Sequence, residues 1–256
     1  MDRGVNPETQ RSCRARLYER YSGNFGGGKP LEMETQFRQF DVCYRGLLPP
    51  HAAAIGDLGC GKGEWLAWLR REGRGNLFGV DCSPSDLEVA RAHLAGVELI
   101  GSGIVEALRA KPGHFDLLHA KDVVEHLTPD ELFEFLDACH AALKPGGQLW
   151  MLTYNAQSPF ANATRYGDFT HEIGLTPSSM AQVLTAAGFV VDRVDGIHVC
   201  PPSATGTARR LVWKMCTPFF RLLLKARHGG GGGGKFDSLA SEPDLFAVAH
   251  KADINA

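Results

Sequence analysis

The sequence predicts an α/β fold in which helices cover both faces of a mostly parallel sheet. Short apolar runs alternate with stretches of helical spacing along most of the 256 residues, and this alternation is typical of parallel sheets. A glycine-rich segment, Ile55-Gly-Asp-Leu-Gly-Cys-Gly-Lys-Gly-Glu-Trp65, follows the first apolar run and precedes the first buried helix. Its glycines allow positive φ and let a ligand approach the main chain closely. The amide groups that open the next helix can then face a polar or anionic group.

Three features precede this segment. Residues 11–21 are basic and predict a short helix, and residues 22–30 are glycine-rich and predict a loop. Residues 31–48 have helical spacing of apolar side chains, which ends at Pro49-Pro50. Two interpretations of this third feature stay open. It is either a helix that packs on the sheet or a lid over a bound ligand.

The first strand is predicted at residues 52–55, and the helix after the glycines ends near Arg71. The second strand, residues 76–80, is followed by Asp81. An acid one strand after a glycine turn is well placed to bind two ribose hydroxyls. Ser83 and Pro84 then predict a helix start, because serine is a good N-cap and proline suits the first turn.

The rest of the chain continues the alternation. Thr128-Pro-Asp-Glu131 is a capping-box sequence, and a further helix is predicted over residues 177–187. The remaining strands are predicted at residues 97–100, 115–120, 148–154, 189–194 and 245–250.

Asp57 precedes the glycines, whose spacing is Gly-x-Gly-x-Gly. A carboxylate here would repel a pyrophosphate but suits a ligand that carries a cationic amino group. With Asp81 and the later Leu143-Lys-Pro-Gly-Gly147, this segment resembles the class I S-adenosylmethionine-dependent methyltransferases. The resemblance implies a Rossmann-like seven-stranded sheet whose last strand is antiparallel. It also implies S-adenosylmethionine as cofactor and S-adenosylhomocysteine as product.

The resemblance further implies that the cofactor-binding residues lie at the ends of the first four strands. These residues are Asp57, Leu58, Gly59, Cys60, Gly61, Trp65, Asp81, Cys82, Ser102, Gly103, Ile104, Lys121 and Asp122. Where Gly103 stands, the family commonly has an acid that bonds the adenine amino group. Three alternatives for adenine therefore stay open: Ser102, the Ile104 amide, or apolar contacts.

Ionisable residues follow the fourth and fifth strands. Asp122 lies near the end of strand four, close to where the methyl acceptor is expected, and is a catalytic candidate. His126 is either a base or a residue that caps or packs. His171 is the first choice for the general base because imidazole titrates near neutrality, and Asp168 is expected to orient it or to stabilise its charge. In the alternative interpretation Asp168, Thr170 and His171 form a hydrogen-bonded loop staple.

Polar residues in the same block are expected to contact the methyl acceptor. They are Asn155, Arg165, Tyr166 and Thr170. No set of side chains has metal-ligand spacing, so no metal site is predicted.

The block from Asn155 to Ser179 resembles a narrower group, the methyltransferases of bacterial surface-polysaccharide (O-antigen or capsule) biosynthesis. That resemblance implies O-methylation of a sugar hydroxyl in a glycan or its lipid-linked precursor. The enzymatic alternative is a small-molecule O- or N-methyltransferase, for instance on a natural product or quinone. An alternative of another class is a non-catalytic cofactor-binding module.

The composition restricts which binding partners and which cellular compartment are expected. A net charge of −2 argues against a dedicated nucleic-acid binder. No apolar run has transmembrane length, and the first 20 residues are polar and charged, unlike a signal peptide. The seven cysteines contain no Cys-x-x-Cys and fit a reducing compartment. The expected location is the cytoplasm, with a peripheral position on the inner face of the membrane as an added expectation.

Residues 200–235 form an insertion of different character. The chain has no acid between Asp195 and Asp237, whereas basic and large apolar residues are frequent there. Pro218 predicts two helices, with Thr217 as the cap of the second, and six glycines at 229–234 predict a flexible return. Residues 205–228 suit a membrane interface; the alternatives are packing on their own domain or on a second subunit.

The predicted organisation has four parts, and the sequence leaves the oligomeric state open. The parts are an N-terminal helical lid or packing segment (1–50), a cofactor-binding catalytic core (51–199), the basic helical insertion (200–235) and the final strand of the core (236–256).

Overall fold

The structure, a computed structural model, describes residues 17, 33–197, 203–228 and 242–253. Apart from Leu17, the helix predicted over 11–21 lies outside these residues, as do the loop over 22–30 and the glycine return over 229–234. Seven strands form one sheet in the order β3-β2-β1-β4-β5-β7-β6. The strands are β1 Ile55–Leu58, β2 Leu77–Asp81, β3 Glu98–Gly101, β4 Phe115–Lys121, β5 Leu143–Tyr154, β6 Phe189–Ile197 and β7 Asp244–Lys251.

Only β7 runs against its neighbours in this sheet, pairing antiparallel with both β5 and β6. The other pairs, β1 with β2 and β4, β2 with β3, and β4 with β5, are parallel. The predicted Rossmann-like, mostly parallel sheet with an antiparallel last strand is therefore confirmed.

The described helices cover both faces of the sheet. They are α1 Met33–Cys43, α2 Glu64–Arg71, α3 Pro84–His93, α4 Ile104–Arg109, α5 Pro129–Ala142, α6 Ala161–Arg165, α7 Pro177–Ala186 and α8 Ala204–His228. Buried side chains of α1, α2 and α3 pack on one face, and those of α4, α5 and α7 pack on the other. The predicted caps are present: the Ser83 hydroxyl accepts from the Asp86 amide, and Thr128 and Glu131 form a capping box.

Two strands begin more than one residue away from the predicted start. The first strand begins at Ile55, since the Ala54 amide donates to the side-chain carboxylate of Asp116 in β4 instead of to a backbone carbonyl. The fifth strand begins earlier, at Leu143, but its register against β4 jumps from Leu143 to Gln148. Gly147 fits inside this irregularity because a Cβ there would lie 2.9 Å from the Lys144 carbonyl oxygen.

Helix α1 packs on α2, and Tyr44, the residue after α1, reaches the sheet, where its ring lies 5.9 Å from that of Trp150 in β5. Phe40 and Tyr44 are buried, and the Phe40 ring lies 5.8 Å from that of Trp68. Asp41 fixes the helix further, because its carboxylate accepts from Trp68 Nε1 at 2.7 Å and pairs with Arg71 at 2.8 Å. The packing interpretation therefore holds for α1, and its contribution to the ligand cavity is described below.

The prediction of two helices in the insertion was wrong, because α8 continues through Pro218. Proline lacks the amide that would bond the carbonyl four residues earlier. The Thr217 hydroxyl does not cap a second helix; it donates to the Trp213 carbonyl at 2.9 Å, within the same helix. No helix among the described residues is long and apolar enough to span a membrane.

Candidate active site

A cavity of about 690 Å³ opens at the carboxyl ends of β1 to β4. Of the predicted cofactor residues, all but Leu58 line it. Leu58 has 0 % exposure and belongs to the apolar core, so its side chain cannot contact a ligand in this cavity. Gln36 and Phe40 of α1 also line the cavity. Helix α1 therefore forms part of the ligand site as well as packing on α2.

The glycine turn shapes one wall of this cavity. Gly59 and Gly61 have φ of 74° and 51°, values that suit glycine. A Cβ at Gly59 would lie 2.7 Å from Val123, whereas a Cβ at Gly61 or Gly103 would meet no atom within 4 Å. Gly61 and Gly103 therefore leave an open cradle, whose space suits the adenosine portion of a nucleoside cofactor.

Asp81 is held in place by the backbone on both sides. One carboxylate oxygen accepts from the Gly61 amide at 2.8 Å and the other from the Ser83 amide at 2.7 Å. Burial raises the pKa of Asp81, and these two amides oppose that shift. Each carboxylate oxygen has a further lone pair, so the residue suits a pair of vicinal hydroxyl donors such as those of a ribose.

Asp57 is oriented by a histidine that sequence reasoning missed. Its carboxylate accepts from His119 Nδ1 at 2.8 Å, and His119 Nε2 lies 3.3 Å from the Tyr44 hydroxyl. Since a carboxylate only accepts, Nδ1 carries the proton, and in the neutral ring Nε2 accepts from Tyr44. The imidazole also stacks on Trp65 at 4.0 Å. This network fixes a carboxylate where the cofactor's ammonium group is expected.

We expect His119→Phe to weaken S-adenosylhomocysteine binding by about 10- to 100-fold, because a hydrogen bond to a charged group contributes about 1.5–3 kcal/mol. Phenylalanine keeps a ring against Trp65 but offers no donor to Asp57. Tyr44→Phe removes only the outer bond and is expected to cost less than about tenfold. Calorimetric titration measures both affinities, and His114→Phe is the control because His114 is exposed. Equal affinity in His119→Phe and wild type would contradict the orienting role.

The end of the cavity where adenine is expected provides more apolar than polar contacts. The Ser102 hydroxyl donates to the Gly103 carbonyl at 3.2 Å. Ile104, Val105 and Phe135 line the cavity. Two acids also line it, but Glu131 accepts the capping bonds of Thr128, and Glu134 pairs with Arg109. This arrangement weighs against the Ser102 hydroxyl and leaves apolar contacts and the Ile104 amide as alternatives for adenine.

Beyond β4 the backbone is strained at the cavity edge. Asp122 has φ of 55°, the only positive φ of a non-glycine residue among the described ranges. Such a conformation is uncommon for a residue with a Cβ, and it is enriched in active sites. Asp122 lines the cavity and pairs with Lys121, which lines it too. Both predicted residues therefore lie where a ligand can contact them.

His126 is buried in a network that also contains two other predicted residues. It lies in a 3₁₀ turn, Val124–His126, and lines the cavity. The Thr170 hydroxyl donates to Asp168 at 2.7 Å and lies 2.9 Å from His126 Nδ1. Because the hydroxyl hydrogen is used by Asp168, His126 Nδ1 donates to Thr170 and its Nε2 keeps the lone pair. Burial lowers the pKa of His126, which favours this neutral form.

His171 has a matching arrangement. Its Nδ1 lies 3.0 Å from the Thr164 carbonyl, which only accepts, so Nδ1 carries the proton and Nε2 keeps the lone pair. The His171 ring stacks on Tyr154 at 5.5 Å and lies 4.8 Å from the His126 ring.

The roles predicted for Asp168 and Thr170 need correction. Asp168 accepts from Thr170 and so orients His126, not His171. The staple interpretation applies to Asp168 and Thr170, while the side chain of His171 lies outside their hydrogen bonds. Thr170 is buried (4 % exposed), so it positions His126 and is not placed to contact an acceptor.

The other residues predicted to contact the acceptor also have different positions. Asn155 has 0 % exposure, and its amide joins the Glu242 carbonyl and the Gln157 amide, so it holds the chain after β5. Arg165 donates to the carbonyls of His171 and Glu172 and thereby fixes the His171 loop. Tyr166 is 77 % exposed and does not line the cofactor cavity.

Glu125 completes the site, although sequence reasoning gave it no role. It is 4 % exposed, and one carboxylate oxygen accepts from the Thr153 hydroxyl at 3.0 Å. Burial raises its pKa well above the usual range, and the charge of Asp122 adds to the shift. One ligand atom of each of Glu125, His126 and His171 lies within 4.8 Å of the others. We call these three residues the histidine cluster.

Comparison with known proteins agrees with this geometry. A family profile described as "Methyltransferase domain" matches residues 55–147. The ubiquinone biosynthesis O-methyltransferase of Methylobacterium nodulans is 32% identical over 182 residues, covering 66% of this chain and 72% of that protein. That of Methylobacterium sp. (strain 4-46) is also 32% identical, over 168 residues, covering 60% of this chain and 66% of that protein, just under two thirds of its length.

A solved structure shares the fold. It is the Burkholderia thailandensis 1,6-didemethyltoxoflavin-N1-methyltransferase with bound 1,6-didemethyltoxoflavin and S-adenosylhomocysteine. The TM-score is 0.59 at 17% identity, and the match covers 99% of this chain and 94% of that one.

Proposed function

Since the chain belongs to the class I S-adenosylmethionine-dependent methyltransferases, we propose that it methylates a hydroxyl oxygen of a small aromatic acceptor. The observation that carries the proposal is the histidine cluster, which places two imidazoles beside the cofactor cavity. An imidazole Nε2 with a free electron pair can take the proton of an acidic hydroxyl. His171 is the proposed base, since its side chain is only half-buried.

Methyl transfer requires few other contributions from the protein. When bound, S-adenosylmethionine supplies a methyl group on a positively charged sulfur. The acceptor oxygen forms its new bond to the methyl carbon while the carbon–sulfur bond breaks, and the sulfur keeps the electron pair. The chain's residues orient the cofactor through Asp57 and Asp81, hold the acceptor near the methyl group, and take up the hydroxyl proton.

Two considerations favour an aromatic acceptor over a sugar. The relatives reported above are named for ubiquinone biosynthesis, and none of these names mentions a polysaccharide. The acceptor side also carries the stacked rings of Tyr154 and His171 beside His126, and flat rings pack well against a flat acceptor. The comparisons support the predicted methyltransferase class, but they do not support its polysaccharide subgroup.

The test is a panel of acceptors incubated with S-adenosylmethionine that carries a deuterated methyl group. The panel contains catechols, phenols, aromatic amines and hexoses, and mass spectrometry reports where the heavy methyl group goes. We expect transfer to the oxygen of a catechol or phenol. Transfer to a hexose alone would contradict an aromatic acceptor and favour a sugar hydroxyl instead. Transfer to an amine alone would exclude O-methylation.

We also propose that α8 holds the protein at an anionic membrane surface. One side of α8 packs on its own domain, where Trp213 and Phe220 contact Phe160 at 5.9 and 5.7 Å. The other side presents an exposed apolar stripe of Leu211, Val212, Met215, Phe219, Leu222 and Leu223. Helical geometry places Arg210, Lys214 and Arg221 along one edge of this stripe, and residues 203–228 contain no acid. A basic edge beside an apolar stripe suits an anionic bilayer.

Co-sedimentation with vesicles of phosphatidylcholine and phosphatidylglycerol tests this second proposal. We expect the triple variant Leu211→Ser, Met215→Ser, Leu222→Ser to bind at least about tenfold more weakly, because it removes most of the apolar area. The control replaces three exposed apolar residues of other elements, Val89, Phe133 and Val190, by serine. Wild type that stays in the supernatant would contradict membrane contact. A dimer in light scattering that the triple variant abolishes would assign the stripe to a second copy.

A further inference from the structure

We propose that a cavity between α6 and α8 is a second small-molecule site, which binds an aromatic carboxylate. The cavity has a volume of about 520 Å³, which lies within the range usual for sites that bind small ligands. Among the residues that the structure describes, it shares none of its lining with the cofactor cavity. The existence of this site therefore does not depend on the proposed function.

Most of the cavity wall is apolar. The rings of Phe160 and Trp213 line it, with their centroids 5.9 Å apart and their planes tilted by 59°. Four smaller apolar residues complete this wall: Ala161, Ala208, Val212 and Pro243. Because aromatic rings pack favourably against other flat rings in tilted or offset contacts, this wall suits an aromatic ligand.

The positive charge of the lining comes from Arg209. Helix α8 carries no acid that could pair with it. Glu242 precedes the lining residue Pro243, but it interacts with two other basic residues of α8. Burial raises the pKa of Glu242, and the charges of Arg221 and Lys214 oppose this shift. A guanidinium group beside an apolar wall suits a carboxylate, because its parallel N–H groups match the two carboxylate oxygens.

A buried hydroxyl group points to a polar group on the ligand as well. Ser158 is 8 % exposed and lines the cavity. Within the described part of the chain, its hydroxyl forms no hydrogen bond. Buried polar groups are nearly always hydrogen-bonded, so an exception in a cavity indicates a missing partner. A carboxylate bound in the cavity would accept the Ser158 hydroxyl hydrogen.

Helix α6 connects this cavity to the proposed base. Phe160, which precedes α6, contacts Trp213 of α8. Thr164 lines the cavity, and its carbonyl accepts from His171 Nδ1 at 3.0 Å. Arg165, the last residue of α6, donates to the His171 carbonyl. A ligand that fills the cavity would hold α6 in place, and with it the loop that carries His171. We therefore expect occupancy to raise kcat, and this part of the inference rests on the proposed function.

Calorimetric titration with 2-naphthoate, a flat aromatic carboxylate, tests the site. The full-length protein is first saturated with S-adenosylhomocysteine, so that the probe cannot enter the cofactor cavity. We expect one site per chain with a dissociation constant below about 1 mM. The neutral analogue 2-naphthylmethanol is expected to bind at least about tenfold more weakly, since it cannot form charge-assisted hydrogen bonds with Arg209. Tighter binding of decanoate would contradict an aromatic ligand and assign the cavity to an acyl chain.

Three variants locate the bound probe. Arg209→Gln should bind 2-naphthoate at least about tenfold more weakly and Ser158→Ala about threefold more weakly. Ala208→Phe should abolish binding, because residue 208 is exposed on α8 and a larger side chain there would fill the cavity. Lys214→Gln is the matched control, since it removes a positive charge from an exposed residue of α8 that does not line the cavity. No binding by wild type, or unchanged binding by either Arg209→Gln or Ala208→Phe, would overturn the proposal.

Methyl-transfer kinetics separate a second site from an extension of the acceptor site. We expect saturating 2-naphthoate to raise kcat by at least about twofold without raising KM for the acceptor. A higher KM with unchanged kcat would mean that the probe competes with the acceptor, and would overturn the second site. Equal kinetics with and without bound probe would overturn only the link through α6 to His171. Absence of methyl transfer to every acceptor would count against the proposed function, while the titrations would still decide whether the cavity binds the probe.

Discussion

Replacing His171 by asparagine is expected to lower kcat for methyl transfer by about 10²–10⁴-fold. The variant keeps a donor for the Thr164 carbonyl, so the loop retains the bond that His171 Nδ1 makes at 3.0 Å. It loses Nε2, the atom proposed to accept the hydroxyl proton. The expected loss therefore follows from the chemistry of Nε2 and not from movement of the loop.

The measurement is kcat with the best acceptor of the panel, together with calorimetric titration of S-adenosylhomocysteine. Cofactor affinity is expected to stay within about twofold of wild type, since His171 does not line the cofactor cavity. His114→Asn, an exposed site, is expected to retain full activity. Near-normal turnover of His171→Asn would remove His171 from the role of base and leave it a residue that holds the loop.

Replacing Asp81 by alanine is expected to weaken cofactor binding by at least about 100-fold. The change removes the carboxylate proposed to bind the ribose, and hydrogen bonds to a charged group contribute about 1.5–3 kcal/mol each. It also leaves the amides of Gly61 and Ser83 without the partner that they now share. Asp81→Asn keeps the shape and one acceptor oxygen, so its loss should lie between those of alanine and wild type.

The control for this series is Glu88→Ala, an exposed acid on α3 of the same charge. Thermal unfolding of the ligand-free proteins separates damage to the fold from loss of ribose contacts. If Asp81→Ala bound S-adenosylhomocysteine as wild type does, the assignment of Asp81 to the ribose would be wrong.

The cofactor half of the site was predictable from the sequence because its residues follow strand ends directly. Asp57, Gly61 and Asp81 lie at the carboxyl ends of β1 and β2, and the ends of neighbouring parallel strands meet at one edge of the sheet. His119 was missed because its role depends on Tyr44, 75 residues earlier in the chain, and on Asp57 in the neighbouring strand.

The acceptor half was less predictable because its contacts join residues far apart in the chain. Asp168 looked like the partner of His171 from its proximity in sequence, yet through Thr170 it orients His126, which lies 44 residues before Thr170. Asn155 looked exposed in a polar loop, but it bonds the Glu242 carbonyl 87 residues away. Such pairs depend on how loops fold over the sheet, which no local pattern records.

Titration of S-adenosylhomocysteine into the full-length wild-type protein tests the central claim most directly, namely that the cavity at the ends of β1 to β4 is the cofactor site. We expect one site per chain with a dissociation constant in the micromolar range, which corresponds to a binding free energy of about −8 kcal/mol. We also expect bound S-adenosylhomocysteine to protect Cys82, an exposed thiol that lines this cavity, from alkylation. A folded protein that neither binds S-adenosylhomocysteine nor gains this protection would contradict the assignment of the cavity.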